Sequence, residues 1–380
     1  MTKQRGDAPH FLHLQSTFDA GGKEVRTTQI INALGRRARH TIVSAMPENL
    51  AAAERIDRSV DLTLQPDFPS LQGSPWLGRL LRLARAMQGY DLILTYNWGA
   101  MDAVLAHTLY GEYLGLAPLI HHEDGFDESE THRLKRRRNW FRRIALGRTA
   151  RLIVPSETLE EIALTAWQQP FGRVVRIPNG IDTAAFAKPP NRAAIPLPLV
   201  PDRRWVATFA GLRAVKNLPR LVQAFAKLPE DWHLAIFGEG PERAAIEAAA
   251  AQAGVAERVH LPGAVRDPAA MLGAFDIFAL SSDSEQFPLS VVEAMAAGLP
   301  VAAPAVGDVP QIVAEENADS IVAPGDTDAL ASALVALAGD AEARRSIGAA
   351  NRKRARSQYD AETMLAAHRR LYENVMRRSL

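Results

Sequence analysis

The sequence of 380 residues contains no cysteine. A disulfide framework, thiolate zinc sites and thiol catalysis are therefore excluded. It also lacks any apolar run approaching the ~18–20 residues of a membrane span. The opening stretch, Met1 to Leu14, has no apolar core long enough for a signal peptide. A charge excess is missing too: 44 Lys plus Arg face 43 Asp plus Glu, for a formal charge of +1. That balance argues against a dedicated nucleic-acid binder. What is present is a globular composition, 47% hydrophobic and 23% charged, wrong for a disordered chain. At ~100–200 residues per domain the length suggests about two. The expectation is a soluble, cytoplasmic, two-domain protein.

The chain alternates short apolar runs with helical patterns. Strands are expected at Phe11–Leu14, His40–Ser44, Tyr90–Tyr96, Pro118–His121 and Arg151–Val154. Helices are expected at Lys23–Leu34 and Leu77–Met87. This order predicts a parallel sheet with helices on both faces. Pro189, Pro190, Pro196, Pro198 and Pro201 then resist both helix and strand. A linker is placed at 182–201, with a long surface loop as the alternative. The same grammar restarts at Arg204–Ala210, His233–Phe237, Arg258–Leu261, Ile277–Leu280, Pro300–Ala303 and Ser320–Val322. The tail reads as helices over about 327–337, 341–357 and 360–377. The fold class is thus α/β: two Rossmann-like domains, 1–185 and 186–359, facing each other across a cleft. Ligands of such sheets bind outside the carboxyl ends of the strands.

The segment Ser281–Pro310 is the richest in chemistry. Pro288 suits the first position of a helix and Gly298 its stop. The free N–H groups at that start form an anion site. Glu293 lies inside the helix, where side chains lean back toward the N-terminus, and Glu285 sits in the loop before it. Carboxylates accept strongly from vicinal sugar hydroxyls. The alternative is that both glutamates are solvated surface residues.

Glu285-Gln286-Phe287-Pro288-Leu289-Ser290-Val291-Val292-Glu293 closely resembles the E-x7-E segment of glycosyltransferase family 4, retaining enzymes of the GT-B fold. Ile177–Asp182, Ala210–Asn217, Phe237–Arg243, Leu261–Asp267 and Gly307-Asp308-Val309-Pro310 resemble family segments in the same order, and Gly21-Gly22 its Gly-rich loop. The resemblance implies that Arg213 and Lys216 clamp the donor diphosphate, a guanidinium fork beside a point charge. It implies that Glu293 binds the donor ribose and that Glu285, expected to be catalytic, binds the sugar hydroxyls. Gln286, Phe287, Leu289 and Ser290 would contact sugar and phosphate, and Val265 and Arg266 the base. Gly21 and Gly22 would let backbone approach the phosphates; a simple tight turn is the alternative. Gln286 departs from the glycine usual there, which puts the donor sugar in doubt. The resemblance also suggests that a C-terminal helix, about 360–380, packs back on the first domain.

The first domain would hold the acceptor. His121-His122-Glu123-Asp124 follows a strand, and the family often has a functional histidine here. His122 is expected to be catalytic, with His121 the other candidate. A metal site from these four residues, or plain loop polarity, is the competing reading; adjacent histidines point apart in extended chain. Asn97 and Trp98 end another strand and could position the acceptor, though a core or surface Trp98 is equally open.

Two further patterns are decoys. Gly238-Glu239-Gly240 lacks the third glycine of a dinucleotide fingerprint, because position 243 is Arg. Asp326-Thr327-Asp328 is formally D-x-D, but helix capping by Asp326 or Thr327 explains it better. No metal and no cofactor is expected beyond a nucleotide-diphosphate sugar as donor. Arg133–Arg143 carries seven basic residues around Trp140 and Phe141. It could rest on anionic lipid or be a solvated helix face; a nucleic-acid partner is not expected. The reaction implied is glycosyl transfer with retention, in polysaccharide or glycolipid synthesis, to a glycan, lipid-linked or small-molecule acceptor. A sugar-nucleotide isomerase or hydrolase, or a non-catalytic binding module, are the alternatives.

Overall fold

A computed structural model of the chain describes residues 8–19, 22–125, 135–197 and 203–380. The fold divides into two compact units, 1–178 with 364–380, and 179–363.

The first unit contains strands β1 (His10–Gln15), β2 (Arg39–Ser44), β3 (Asp61–Leu64), β4 (Leu92–Tyr96), β5 (Leu119–His122), β6 (Arg151–Val154) and β7 (Val174–Arg176). All pair in parallel, in the order β3-β2-β1-β4-β5-β6-β7. Side chains alternate between faces along a strand, and both faces are covered. Leu12, Leu14 and Ile93 point to one core, with α2 (Leu77–Ala86) and α3 (Met101–Leu114) over them. Phe11, Leu92, Leu94 and Ile120 point to the other. That second face is closed by α1 (Gly22–Leu34) through Ile30 and Leu34, and by the last helix of the chain through Met364 and Tyr372. Helices α4 (Arg136–Ala145) and α5 (Glu157–Thr165) complete the unit. β3 and β7 were not expected. β3 is a short edge strand with no buried residue, so it lacks the apolar alternation that marks a strand.

The second unit contains α6 (Thr183–Phe186), β8 (Arg204–Phe209), α7 (Leu218–Phe225), β9 (Trp232–Phe237), α8 (Arg243–Gln252), β10 (Val259–Gly263) and β11 (Ile277–Ala279). There follow α9 (Leu289–Ala297), β12 (Val301–Pro304), α10 (Val309–Ile312), β13 (Ile321–Val322), α11 (Thr327–Gly339) and α12 (Ala341–Gln358). The final helix, α13 (Ala361–Met376), reaches back into the first unit. The sheet order is β10-β9-β8-β11-β12-β13, again parallel. In both sheets the order reverses beside the first strand: between β1 and β4, and between β8 and β11. These reversals are where open α/β sheets bind ligands.

The division falls at Pro178, ahead of the expected 185, and the proline-rich stretch is no free linker. Ile181, Phe186 and Ile195 are buried in the second unit's core. The Asn191 N–H donates to the Ala270 carbonyl at 2.8 Å. Proline stops helix and strand there without preventing its apolar neighbours from packing. Pro198 and Pro201 lie outside the described residues.

Candidate functional site

Three loops, at the carboxyl ends of β8, β11 and β12, interlock, and the first two carry Arg213, Lys216, Glu285, Gln286 and Phe287. The first, 210–217, ends in Asn217 at φ 43°, a left-handed turn. The second, 280–288, is sewn to it: Ser281 Oγ donates to the Lys216 carbonyl at 2.9 Å, and the Asp283 N–H to the Val215 carbonyl at 2.9 Å. Asp283 also pairs with Arg220 at 2.6 Å. The third loop clamps the second from the far side. The Asp308 N–H donates to the Gln286 carbonyl at 3.0 Å. Gly307 has φ 53°, and a Cβ there would stand 2.4 Å from the Glu285 carbonyl oxygen. Only glycine permits that approach.

Within this frame Lys216 Nζ lies 2.5 Å from Glu285 Oε1, and Ser282 Oγ donates to the same oxygen at 2.6 Å. The structure therefore brings two expected site residues into direct contact. Charge-assisted bonds of this kind position both groups. Arg213 is exposed, and among the described residues no hydrogen bond or ion pair holds its guanidinium.

Leu289 and Ser290 form the first turn of α9, with Pro288 at the N-cap rather than inside the helix. Gly298 ends it at φ 85°, the usual left-handed stop. Glu293 sits mid-helix, and burial pushes its carboxyl up to about 7. Desolvation disfavours the charged form, so this group titrates near neutrality. Phe287 packs edge-on to Tyr359 at 5.6 Å. Val265 packs on the core and Arg266 is exposed, just beyond β10.

Both decoys resolve as structure. Cβ atoms at Gly238 and Gly240 would meet the Ala210 and Leu212 carbonyl oxygens at 1.9 and 2.4 Å; these glycines let two loops touch. Asp326 caps α11, accepting from the Ala329 N–H at 2.8 Å.

The first unit departs from expectation. His122 is fully buried, not at a surface. Its Nε2 lies 3.1 Å from Tyr372 Oη on α13, and its ring stacks on Tyr96 at 4.5 Å. Burial holds its pKa well below the ordinary 6.5, with Arg26 adding to the effect. His121 is buried too: Nδ1 meets Thr95 Oγ1 at 2.8 Å and Nε2 stands 3.6 Å from Glu123. Both belong to β5, whose two faces are covered, so both rings end in core. Trp98 is likewise a packing residue, with Arg138 and Arg142 at 4.6 and 5.0 Å from its ring and Phe141 at 5.6 Å. Among the described residues no group of three or more His, Asp or Glu is arranged to hold a metal. Gly21 lies outside the described residues, and Gly22 opens α1.

Asn97 alone of the four acceptor candidates faces other polar loop atoms. Its Oδ1 accepts from the Asp124 N–H at 2.7 Å, and Arg26 NH1 lies 2.5 Å from Asp124 Oδ1. Arg26 gave no signal, being one charge inside a helix. Asp124 stood in a segment where histidine drew attention.

Two parallel-sheet units, each with a reversal of strand order beside its first strand, define the GT-B fold class. The family model for Glycosyltransferase Family 4 matches residues 20–185, and that for Glycosyl transferases group 1 matches 195–354. Together they take up most of the chain, which belongs to this glycosyltransferase family. Among curated relatives, N-acetyl-alpha-D-glucosaminyl L-malate synthase of Bacillus anthracis is 30% identical over 44% of this chain and 45% of its own length. A D-inositol 3-phosphate glycosyltransferase of Xylanimonas cellulosilytica is 26% identical over 97% and 95%. The alignments with the first relatives thus span under half of those proteins. Among solved structures, Anabaena Alr3699/HepE in complex with UDP superposes at a TM-score of 0.80, with 19% identity, covering 96% of this chain and 100% of that one. That likeness concerns the fold.

Proposed function

We propose that this protein is a retaining glycosyltransferase. It moves a sugar from a nucleotide-diphosphate donor to a glycan, lipid-linked or small-molecule acceptor in polysaccharide or glycolipid synthesis. The observation that carries the reading is the Lys216–Glu285–Ser282 contact, held on three interlocked loops at the sheet reversal of the second unit. The base is expected to be uracil, in line with the UDP of the Anabaena relative.

Arg213 and Lys216 neutralise the diphosphate as the bond to the sugar breaks. Lys216 is shared with Glu285. A diphosphate drawing on Lys216 releases Glu285 to accept from sugar hydroxyls, so arrival of the donor readies its own sugar site. Glu293 takes the ribose hydroxyls, and Val265 and Arg266 border the base. The acceptor hydroxyl attacks on the face the diphosphate leaves, and its proton passes to the departing phosphate oxygen. No protein nucleophile is required, and we infer no metal requirement.

No helix is long and apolar enough to cross a membrane among the described residues. α4 exposes Trp140 at 64% and Ile144 at 50%, beside exposed Arg136, Arg137 and Arg143. This mixture suits peripheral contact with an anionic cytoplasmic leaflet. Arg142 of the same segment turns inward to Glu123 at 3.1 Å and takes no part.

The test is a thermal-shift screen of UDP-, GDP- and ADP-sugars. Binding to the native state raises the melting temperature. One donor class should do so in the wild type and not in Lys216→Ala. No shift with any of them would refute the reading.

A further inference from the structure

We propose that Arg26, Asn97 and Asp124 form the acceptor site of the first unit, with the Asp124 carboxylate positioning a neutral polyol. This rests on the glycosyl-transfer reading above.

The place is the first argument. The sheet order reverses between β1 and β4. Arg26 lies on α1, the helix that follows β1; Asn97 directly follows β4; Asp124 follows β5 by two residues. Three elements thus deliver polar groups to the one edge where such a sheet takes ligands.

Strain is the second. Asn97 has φ 55° and ψ −172°, a conformation nearly confined to glycine and strained in other residues. It is held by the Asn97 N–H donating to the His122 carbonyl at 2.8 Å. What asparagine adds over glycine is its side chain, and that side chain goes to Asp124. Oδ1 accepts from the Asp124 N–H at 2.7 Å, and Nδ2 donates to Asp124 Oδ2 at 3.4 Å. The backbone is bent in order to aim a carboxylate.

The third argument is the carboxylate itself. Oδ1 lies 2.5 Å from NH1 of Arg26, whose side chain is 5% exposed, while Asp124 keeps 13%. A carboxylate offers about four lone-pair positions. With one oxygen on Arg26 and the other toward Asn97, the remaining positions are oriented. They accept hydrogen bonds and repel an anion, so the ligand presents hydroxyls here, not phosphate.

The bond changes then balance as follows. The acceptor oxygen forms the new bond to the anomeric carbon. The bond from that carbon to the phosphate oxygen breaks, and its electron pair leaves on the diphosphate. The proton of the reacting hydroxyl goes to that same diphosphate oxygen. Asp124 therefore takes no proton; it accepts a hydrogen bond from the neighbouring hydroxyl. The acceptor class this defines is a sugar or cyclitol with a free hydroxyl next to the reacting one.

The experiment measures nucleoside diphosphate release at saturating donor. The acceptor probes are the methyl glycosides of glucose, galactose, mannose and N-acetylglucosamine, together with myo-inositol. Asp124→Asn should raise the acceptor KM and lower turnover by about 100-fold, the scale of a misplaced substrate. The melting shift given by the donor should stay as in the wild type. Asn97→Gly relieves the strain, so it should melt no lower than the wild type yet turn over about tenfold more slowly, which a merely structural cluster would not do. Wild-type turnover in Asp124→Asn, or a wild type that binds donor and uses none of these acceptors, would overturn the proposal. A wild type that binds no donor would instead overturn the glycosyl-transfer reading beneath it.

Discussion

The two units share a sheet plan and differ in where they send their polar side chains. In the second unit Lys216, Glu285, Ser282 and Asp283 stand on loops: Lys216 bonds across to Glu285, Ser282 bonds Glu285 within its own loop, and Asp283 pairs with Arg220 on α7. In the first, the imidazoles turn inward. His13 lies 3.0 Å from His40 and 3.1 Å from Tyr96; His122 lies 3.1 Å from Tyr372; His368 stacks on His122 at 5.9 Å. All four histidines are 0–1% exposed. A polar residue near a strand end is therefore not automatically a ligand group. If it still belongs to the strand of a sheet covered on both sides, it becomes core, as does Glu123 one residue beyond β5; two residues beyond, Asp124 reaches the loops.

That contrast can be broken most forcefully in the second unit. Lys216→Ala and Glu285→Ala should remain folded and lose transfer by roughly 10²–10³, as when a charge-stabilising donor is removed. Donor turnover beside a melting curve reads both. By contrast His122→Ala should cost ~2–5 kcal/mol of stability, because it empties a buried site, and leave the donor melting shift in place. A His122→Ala protein of native stability that fails only in transfer would return the imidazole to the active site.

pH should drive the units apart. Burial lowers His40 and His368 from 6.5 to about 4, and His13 and His122 well below 6.5. The unfolded chain therefore binds protons that the folded one refuses, and stability falls as pH drops from 6.5 toward 4. A shift of that size corresponds to ~3 kcal/mol per group. Glu293 has the opposite sign: its folded value, about 7, exceeds the ordinary 4.5. Its contribution to stability falls as pH rises from 4.5 to 7. His233, lowered to about 4, and His260, also lowered, act in the same direction in the second unit, so hydrogen exchange followed separately over the first unit, with 364–380 included, and over 179–363 should show the first loosening more than the second at pH 5. Equal loosening would remove the distinction.

Smaller effects sharpen it. In the proposed ribose-binding role the ionised form of Glu293 accepts better from both hydroxyls, so nucleotide binding should tighten by up to about tenfold between pH 6 and 8. Glu293→Gln should flatten that rise in a calorimetric titration. Smallest is Asp326→Ala. It should cost ~1 kcal/mol as a lost cap, with transfer unchanged in both EDTA and Mn2+. A metal-dependent loss of activity would restore the D-x-D reading.

Most of the fold was legible because both sheets are buried, and buried parallel strands are continuous apolar runs. Leu92–Tyr96, Trp232–Phe237 and the three tail helices fall within a few residues of expectation. β3 escaped because nothing in Asp61–Leu64 is buried. The donor loops were legible because one segment, Ser281–Pro310, holds a strand end, a loop and a helix start in sequence. Of Arg26, Asn97 and Asp124, only Asn97 stood out as an acceptor residue; their clustering did not. They come from three separate elements, and what joins them is an unusual φ at Asn97, which no residue type announces.

The passage of the chain through the second unit and back has a consequence for biosynthesis. The second unit is complete once residue 363 has been made. The first is not: Met364 and Tyr372, which pack with Phe11, Leu94 and Ile120, are synthesised only after the whole of the second unit. Until α13 leaves the ribosome, one face of the first sheet is covered by α1 alone and the His122 ring lacks its tyrosine. Of the two units, the one begun first is finished second, so a chain arrested just after residue 363 would carry a complete second unit attached to a first one without α13.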